Sequence, residues 1–226
     1  YSTNTFQMSK NKNERFKDIV NYGWESNSWN NYFVWNAYQE KFVRLLPNKS
    51  KIHIVGPILH EDSNNKDKAL LLLKKYKTLC LFDITIFRDF YYQTEGLKYS
   101  YETPINAIKF IKDVIELSSK KGIHIIFKSK RTFSKRIHPK YKLFIENFNC
   151  NNFHRIDPEI SIHYILENTN GCISFPFTST SVLAKSYKIP TCFYDPTGSL
   201  NIIKNQTQDI RLIRSKKELQ TWLDLI

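Results

Sequence analysis

No run of eighteen apolar residues occurs in the 226-residue chain, and the N-terminus, Tyr1-Ser2-Thr3-Asn4, is polar. A bilayer span needs about 20 such residues and a secretory signal needs an apolar core, so neither is expected. The chain reads as soluble and cytosolic. Cys80, Cys150, Cys172 and Cys192 form no C-x-x-C pair, and the six histidines lack ligand spacing with them. That removes zinc from the expectations. Three of the cysteines lie in apolar runs and read as buried thiols. An initiating methionine is also missing, so the sequence is expected to be a piece of a longer protein. No internal repeat is present.

Acidic residues are absent between positions 117 and 145, which hold nine Lys or Arg, within a chain of net charge +13. Such a balance implies an anionic partner without naming it: nucleic acid, an acidic membrane surface or a phosphorylated metabolite. The 117–145 segment is expected to form the positive face. The aromatics sit mostly in core-like apolar runs, and no RNA- or DNA-binding signature accompanies them, so nucleic acid is the weakest of the three.

What is present is an alternation. Residues 1–31 are rich in Asn, Ser and Lys and carry little periodicity. From Tyr32 on, short apolar strands alternate with amphipathic helices: strands near 32–36, 51–58, 78–87, 123–127, 153–157, 172–175 and 191–195, helices near 37–46, 103–121, 141–148, 160–169 and 179–187. Thr103 as N-cap, Pro104 at the first helical position and Gly122 as the stop delimit one helix. Ser215 and Glu218 form a capping box before Leu219, Trp222, Leu223 and Ile226. Fully apolar strands alternating with helices predict an α/β fold, a Rossmann-like parallel sheet with helices on both faces. Residues 1–50 read as an irregular region and the tail of a preceding domain, residues 51–226 as the Rossmann-like domain.

In such a sheet ligands bind outside the carboxyl ends of the strands. Four post-strand loops are candidates: Gly56-Pro57, Lys128-Ser129-Lys130-Arg131, Asp157-Pro158-Glu159, and residues 176–181. The last delivers Thr178, Ser179, Thr180 and Ser181 in succession where a helix begins. Unpaired N–H groups and the positive helix pole make that end a phosphate cradle, and capping alone requires only one hydroxyl. Lys128, Lys130 and Arg131 are expected to add charge to the same ligand. Asp157 and Glu159 either compensate a helix dipole or hold a sugar hydroxyl. Asp83 is an acid at the end of a buried strand, and Glu95, in an aromatic loop, is the best-placed carboxylate for general base work.

Pro176-Phe177-Thr178-Ser179, with the strand before it, the stretch 184–196 after it and the basic loop upstream, resembles the bacterial surface-polysaccharide biosynthesis proteins named for their "PFTS" motif. The resemblance covers roughly residues 32–226 and implies the C-terminal half of a GT-B glycosyltransferase architecture. It implies a nucleotide-sugar donor, a glycan or lipid-linked glycan acceptor, no metal or other cofactor, and work at the inner face of the plasma membrane for capsule or lipopolysaccharide assembly. More distantly the layout is similar to sialyltransferases and Kdo transferases that use CMP-activated acidic sugars, where a Ser/Thr pair at a helix start binds the donor phosphate. Those families place His-Pro after an earlier strand; here Lys128-Ser129-Lys130-Arg131 stands there, and His138-Pro139 comes later. By this resemblance Thr178 to Ser181 bind the donor phosphate; from their positions in the post-strand loops, Gly56, Pro176, Phe177, Asp157 and Glu159 are expected near nucleotide or sugar, and Asp83 and Glu95 are the catalytic candidates. A GT-B-like sugar-nucleotide epimerase and a basic nucleic-acid-binding module are the alternatives.

Overall fold

The computed structural model describes residues 29–44, 46, 49–57, 75–82, 84–94, 101–129, 134–200 and 207–226. Six strands form one sheet: β3 (Thr78–Phe82), β4 (His124–Lys128), β5 (Phe153–Ile156), β6 (Gly171–Ser174), β7 (Thr191–Tyr194) and β8 (Arg211–Ile213). Every pairing in it is parallel. The spatial order is β5-β4-β3-β6-β7-β8. Counting from β3, this is the 3-2-1-4-5-6 order of the doubly wound nucleotide-binding folds, and the direction of winding reverses between β3 and β6.

The crossovers place helices on both faces. On one side lie α3 (Pro104–Ser119), α4 (Pro139–Asn147) and α7 (Lys216–Leu223); on the other lie α5 (Ile162–Glu167) and α6 (Ser179–Ser186). Alternation along the central strand explains the two cores. Leu79 and Leu81 of β3 pack into the cluster containing Phe110, Ile111 and Val114 of α3 and Trp222 of α7, while Cys80 and Phe82 pack against Ile165, Leu166, Leu183 and Ala184. Each such side chain contributes about 1.5–3 kcal/mol on burial, so a strand apolar on both faces is specified for the sheet centre. Cys80, Cys172 and Cys192 are buried free thiols, and burial pushes the Cys172 thiol up to about 12.

Local signals set the helix ends. Thr103 accepts from the Asn106 N–H at 3.2 Å, and Gly122, at φ 65°, turns the chain so that the Ile123 N–H reaches the Ser118 carbonyl at 3.0 Å. The Ser215 hydroxyl accepts from the Glu218 N–H at 3.2 Å; the Glu218 carboxylate reaches one residue further back, to the Arg214 N–H at 2.9 Å. A short helix, α2 (Asp89–Thr94), stands where the sequence reads as loop.

The N-terminal elements form a separate unit. β1 (Asn31–Val34), α1 (Ala37–Val43) and β2 (Lys51–Ile54) make a two-stranded parallel sheet with its own core of Tyr32, Val34, Phe42, Val43 and Leu46. The division expected at residue 51 therefore runs between β1 and β2, which the pairing of Val34 with Ile54 holds together. This unit meets the large sheet through Asn36, whose side-chain amide donates to Gln208 Oε1 at 2.8 Å, and through the Tyr38 hydroxyl bonded to Asp209. Among the described residues no helix is long and apolar enough to cross a membrane.

Candidate functional site

The carboxyl ends of β4, β3 and β6 form one rung at the reversal point, because Phe82 is in register with both Lys128 and Ser174. Two strand spacings separate Lys128 from Ser174, about 10 Å. Beyond Ser174 the chain passes through Phe175 and Pro176 to Phe177, which adopts φ 64°. For a residue with a Cβ the left-handed region costs on the order of 1–3 kcal/mol. Burial to 3% exposure and an edge-on contact with the Phe193 ring at 5.6 Å hold it there. Pro176 and Phe177 are both buried and set the backbone path.

The consequence appears at α6. Thr178 is its N-cap residue in extended conformation, yet its side chain makes no capping hydrogen bond. The Thr178 hydroxyl instead donates to Ser174 Oγ at 2.7 Å. Having spent its one proton there, it accepts from Thr180 Oγ1 at 3.0 Å. Ser174 Oγ lies 2.5 Å from Ser181 Oγ, and Ser181 is 4.0 Å from the Cys172 sulfur. The four successive hydroxyls thus divide. Thr178, Thr180 and Ser181, with Ser174, form an inward-directed chain that holds the loop, and the Ser179 hydroxyl alone of the four has no hydrogen bond among the described residues. Uncapped N–H groups with a hydroxyl beside them at a helix start are suited to an anion.

Of the other candidates, Lys128 meets the loop of Asp157 and Glu159, and Gly56 stands apart. Lys128 is half-buried and its ammonium donates to the Pro158 carbonyl, next to Asp157 and Glu159. Burial lowers its pKa, and the two carboxylates partly oppose that. Asp157 accepts from the Glu159 N–H at 2.8 Å, closing a turn before α5 without capping it. Gly56, at φ 77°, follows β2 of the small sheet and does not end a strand of the large one, because β2 pairs with β1 alone. Asp83, Glu95, Lys130 and Arg131 lie outside the described residues.

The sequence reading passed over Asp195. It directly follows β7 and is fully buried, with Oδ1 accepting from the Tyr101 hydroxyl at 2.6 Å and the Thr197 N–H at 2.9 Å, and Oδ2 from the Leu200 N–H at 2.9 Å. It organises the loop after β7, beside the loop after β6. Burial, then the Asp195 charge, raises the Tyr101 pKa. An acid immediately after an apolar strand and before Pro-Thr-Gly was the available signal.

The histidines stand apart. His124 opens β4, four residues before Lys128, about 13 Å along the strand, and its Nδ1 is 2.9 Å from His154 Nε2. His163 bonds the Tyr187 hydroxyl at 2.7 Å, at the far end of α6. Among the described residues no group of three or more His, Cys, Asp or Glu is placed to hold a metal ion.

The model of the polysaccharide biosynthesis PFTS motif protein family matches residues 1–223. The chain belongs to that family. Within it the motif Pro176-Phe177-Thr178-Ser179 has the geometry given above: two buried residues that bend the backbone, a hydroxyl turned inward and a hydroxyl left free. No curated protein matches the sequence. Among solved structures the chain is similar to S. aureus MnaA in a co-structure with UDP, at 12% identity and TM-score 0.43, over 73% of this chain and 40% of that one. It is similar to a putative UDP-N-acetylglucosamine 2-epimerase from Listeria monocytogenes, at 12% identity and TM-score 0.43, over 74% and 41%. It is also similar to the E. coli heptosyltransferase WaaC with ADP-2-deoxy-2-fluoro heptose, at 8% identity and TM-score 0.43, over 93% and 75%. The chain thus spans about two fifths of the first two.

Proposed function

We propose that this PFTS family member is the donor-binding part of a glycosyltransferase that moves a sugar from a nucleotide-sugar to a surface-glycan acceptor. The observation that carries the reading is the start of α6: an uncapped helix of eight residues at the reversal point of the sheet, with the Ser179 hydroxyl free beside it. The donor's diphosphate or phosphate takes that end, where N–H groups and the helix pole stabilise negative charge without a metal. The leaving nucleotide accumulates the same charge in the transition state, so the seat that binds the donor also favours its departure.

The rung formed with Lys128 widens the positive field by one ammonium. Its bond to the Pro158 carbonyl fixes the loop after β5 and so orients Asp157 and Glu159, both exposed, toward the sugar side of the crevice. Family membership supports the substrate class, since polysaccharide assembly consumes activated sugars. The base, the sugar and the acceptor follow from experiment: a thermal-shift panel of CMP, UDP, GDP and ADP on the 226-residue chain, followed by calorimetric titration. One nucleotide is expected to raise the melting temperature and the others to do so less. Stabilisation by none of the four, and by none of their sugar conjugates, overturns the reading.

A further inference from the structure

The loops that leave β3 and β4 are laced together. Phe87 and Ile137 form an antiparallel bridge, the Arg88 N–H donates to the Arg136 carbonyl at 3.0 Å, and the His138 N–H donates to the Ile86 carbonyl at 2.8 Å. Between them opens a cleft of about 580 Å³ that the donor site does not use. Arg88, Lys135, Lys140 and Lys142 line it, with Glu146 the one acid among the described residues. Glu146 lies 3.6 Å from Lys142, so Arg88, Lys135 and Lys140 have no acidic partner among the described residues. Arg88 does bond, but through Nε to the Lys135 carbonyl at 3.1 Å, which aligns the guanidinium without neutralising it.

The distribution of the basic segment makes this cleft its outlet. Lys120 pairs with Glu116 at 2.9 Å and Lys121 with Asp224, Lys128 bonds a carbonyl, and Arg136 sits over the Tyr91 ring at 5.6 Å. Lys142 pairs with Glu146, so Lys135 and Lys140 are what remains of the described cations there. Apolar groups share the lining: Ile137, Pro139 and Leu143, the last 62% exposed on the outer face of α4. A soluble anion gains nothing from an exposed leucine. A phosphate carried on a hydrocarbon does, since its charge meets the cations and its stem covers the apolar wall.

We infer that this cleft docks the chain on an anionic phospholipid surface, with lipid phosphate at Arg88, Lys135 and Lys140 and Leu143 in the interface. Docking there holds the carboxyl edge of the sheet against the membrane, where a lipid-linked acceptor would lie. The docking itself requires no nucleotide, so it stands or falls separately from the donor reading.

Flotation of the full 226-residue chain with vesicles of phosphatidylcholine alone and of phosphatidylcholine with phosphatidylglycerol tests it. Binding is expected to the mixed vesicles only, and to fall as salt rises. Lys135→Glu with Lys140→Glu is expected to lower it by about tenfold or more, while the equal charge change Lys51→Glu with Lys217→Glu retains it. Leu143→Ser is expected to weaken binding at both low and high salt, which keeps the inference open to test if the double reversal fails to fold. Equal flotation with uncharged vesicles, or undiminished flotation of the folded double reversal, overturns it.

Discussion

The Tyr101 hydroxyl donates to Asp195 Oδ1 at 2.6 Å, a buried bond between the loop entering α3 and the loop leaving β7. It ties together two segments 94 positions apart. Tyr101→Phe removes the donor while leaving the ring on Phe175, whose centroid is 5.0 Å away. A hydrogen bond to a charged group is worth about 1.5–3 kcal/mol, and that loss is expected in denaturant unfolding. Asp195→Ala is expected to cost more, because it also strands the Thr197 and Leu200 N–H groups.

Division of the hydroxyls gives a second expectation. Ser179→Ala is expected to weaken nucleotide binding by about 1.5–3 kcal/mol with the melting temperature unchanged, since its hydroxyl bonds none of the described residues. Ser174→Ala does the opposite: it breaks the chain from Thr178 to Ser181 and lowers the melting temperature. Calorimetry beside thermal unfolding of both variants separates them. Equal affinity in Ser179→Ala removes that hydroxyl from the site.

Thiol labelling provides a third. Cys80, Cys172 and Cys192 are fully buried and burial raises each thiol, whereas Cys150 is half-buried, its sulfur 3.0 Å from Asn152 Oδ1. A charged alkylating reagent is expected to modify one cysteine per folded chain and four on unfolding, read by intact mass. Rapid modification of two or more in the folded chain contradicts the packing.

How much of this was legible depends on range. The ends of α3 and α7 follow from Thr103, Pro104, Gly122 and Ser215, whose partners lie within a few residues. The two-sided strands follow from unbroken apolar runs. The membership of β2 does not, because its residues read the same whether β1 or β3 is the neighbour, and only tertiary pairing decides. β8 escapes for a different reason: three residues, Arg211–Ile213, at a sheet edge carry too short a pattern. At the site, the cluster of hydroxyls was visible but not its division, which depends on Ser174 facing α6 across the first turn. Asp195 reads as the last residue of the strand near 191–195 until Tyr101 is seen to reach it.

Gly171 opens β6 where there is no room for a side chain. A Cβ there would lie 2.8 Å from Leu79 Cδ2 and 3.2 Å from the Pro190 carbonyl oxygen. Leu79 is fully buried in β3, and the Pro190 carbonyl accepts from the Cys172 N–H at 2.9 Å, so neither can yield cheaply. Gly171→Ala is expected to destabilise by about 1–3 kcal/mol through overpacking. Because the strain lies at the opposite end of β6 from Ser174, nucleotide affinity in the folded fraction is expected to stay the same. Guanidinium unfolding and calorimetry check the two halves.

The last prediction concerns pH and arises from His124 and His154, whose facing nitrogens are 2.9 Å apart with their ring planes within 7° of parallel. That bond requires one ring to donate and the other to present a bare nitrogen. Desolvation first, then the charge of His124, lowers the His154 pKa from its ordinary 6.5. In the unfolded chain His154 regains that ordinary value, so between the two the unfolded state binds more protons and stability rises with pH. The pair is therefore fully supportive above about pH 6.5 and its support is lost as pH falls through the lowered folded value. Urea unfolding from pH 7.5 downward is expected to trace that decline. His154→Phe keeps an aromatic ring in place and removes the titrating group, so its profile is expected to be flatter over the same window, with carboxylates governing only at lower pH. A profile for His154→Phe that parallels the parent would assign the acid sensitivity to other groups.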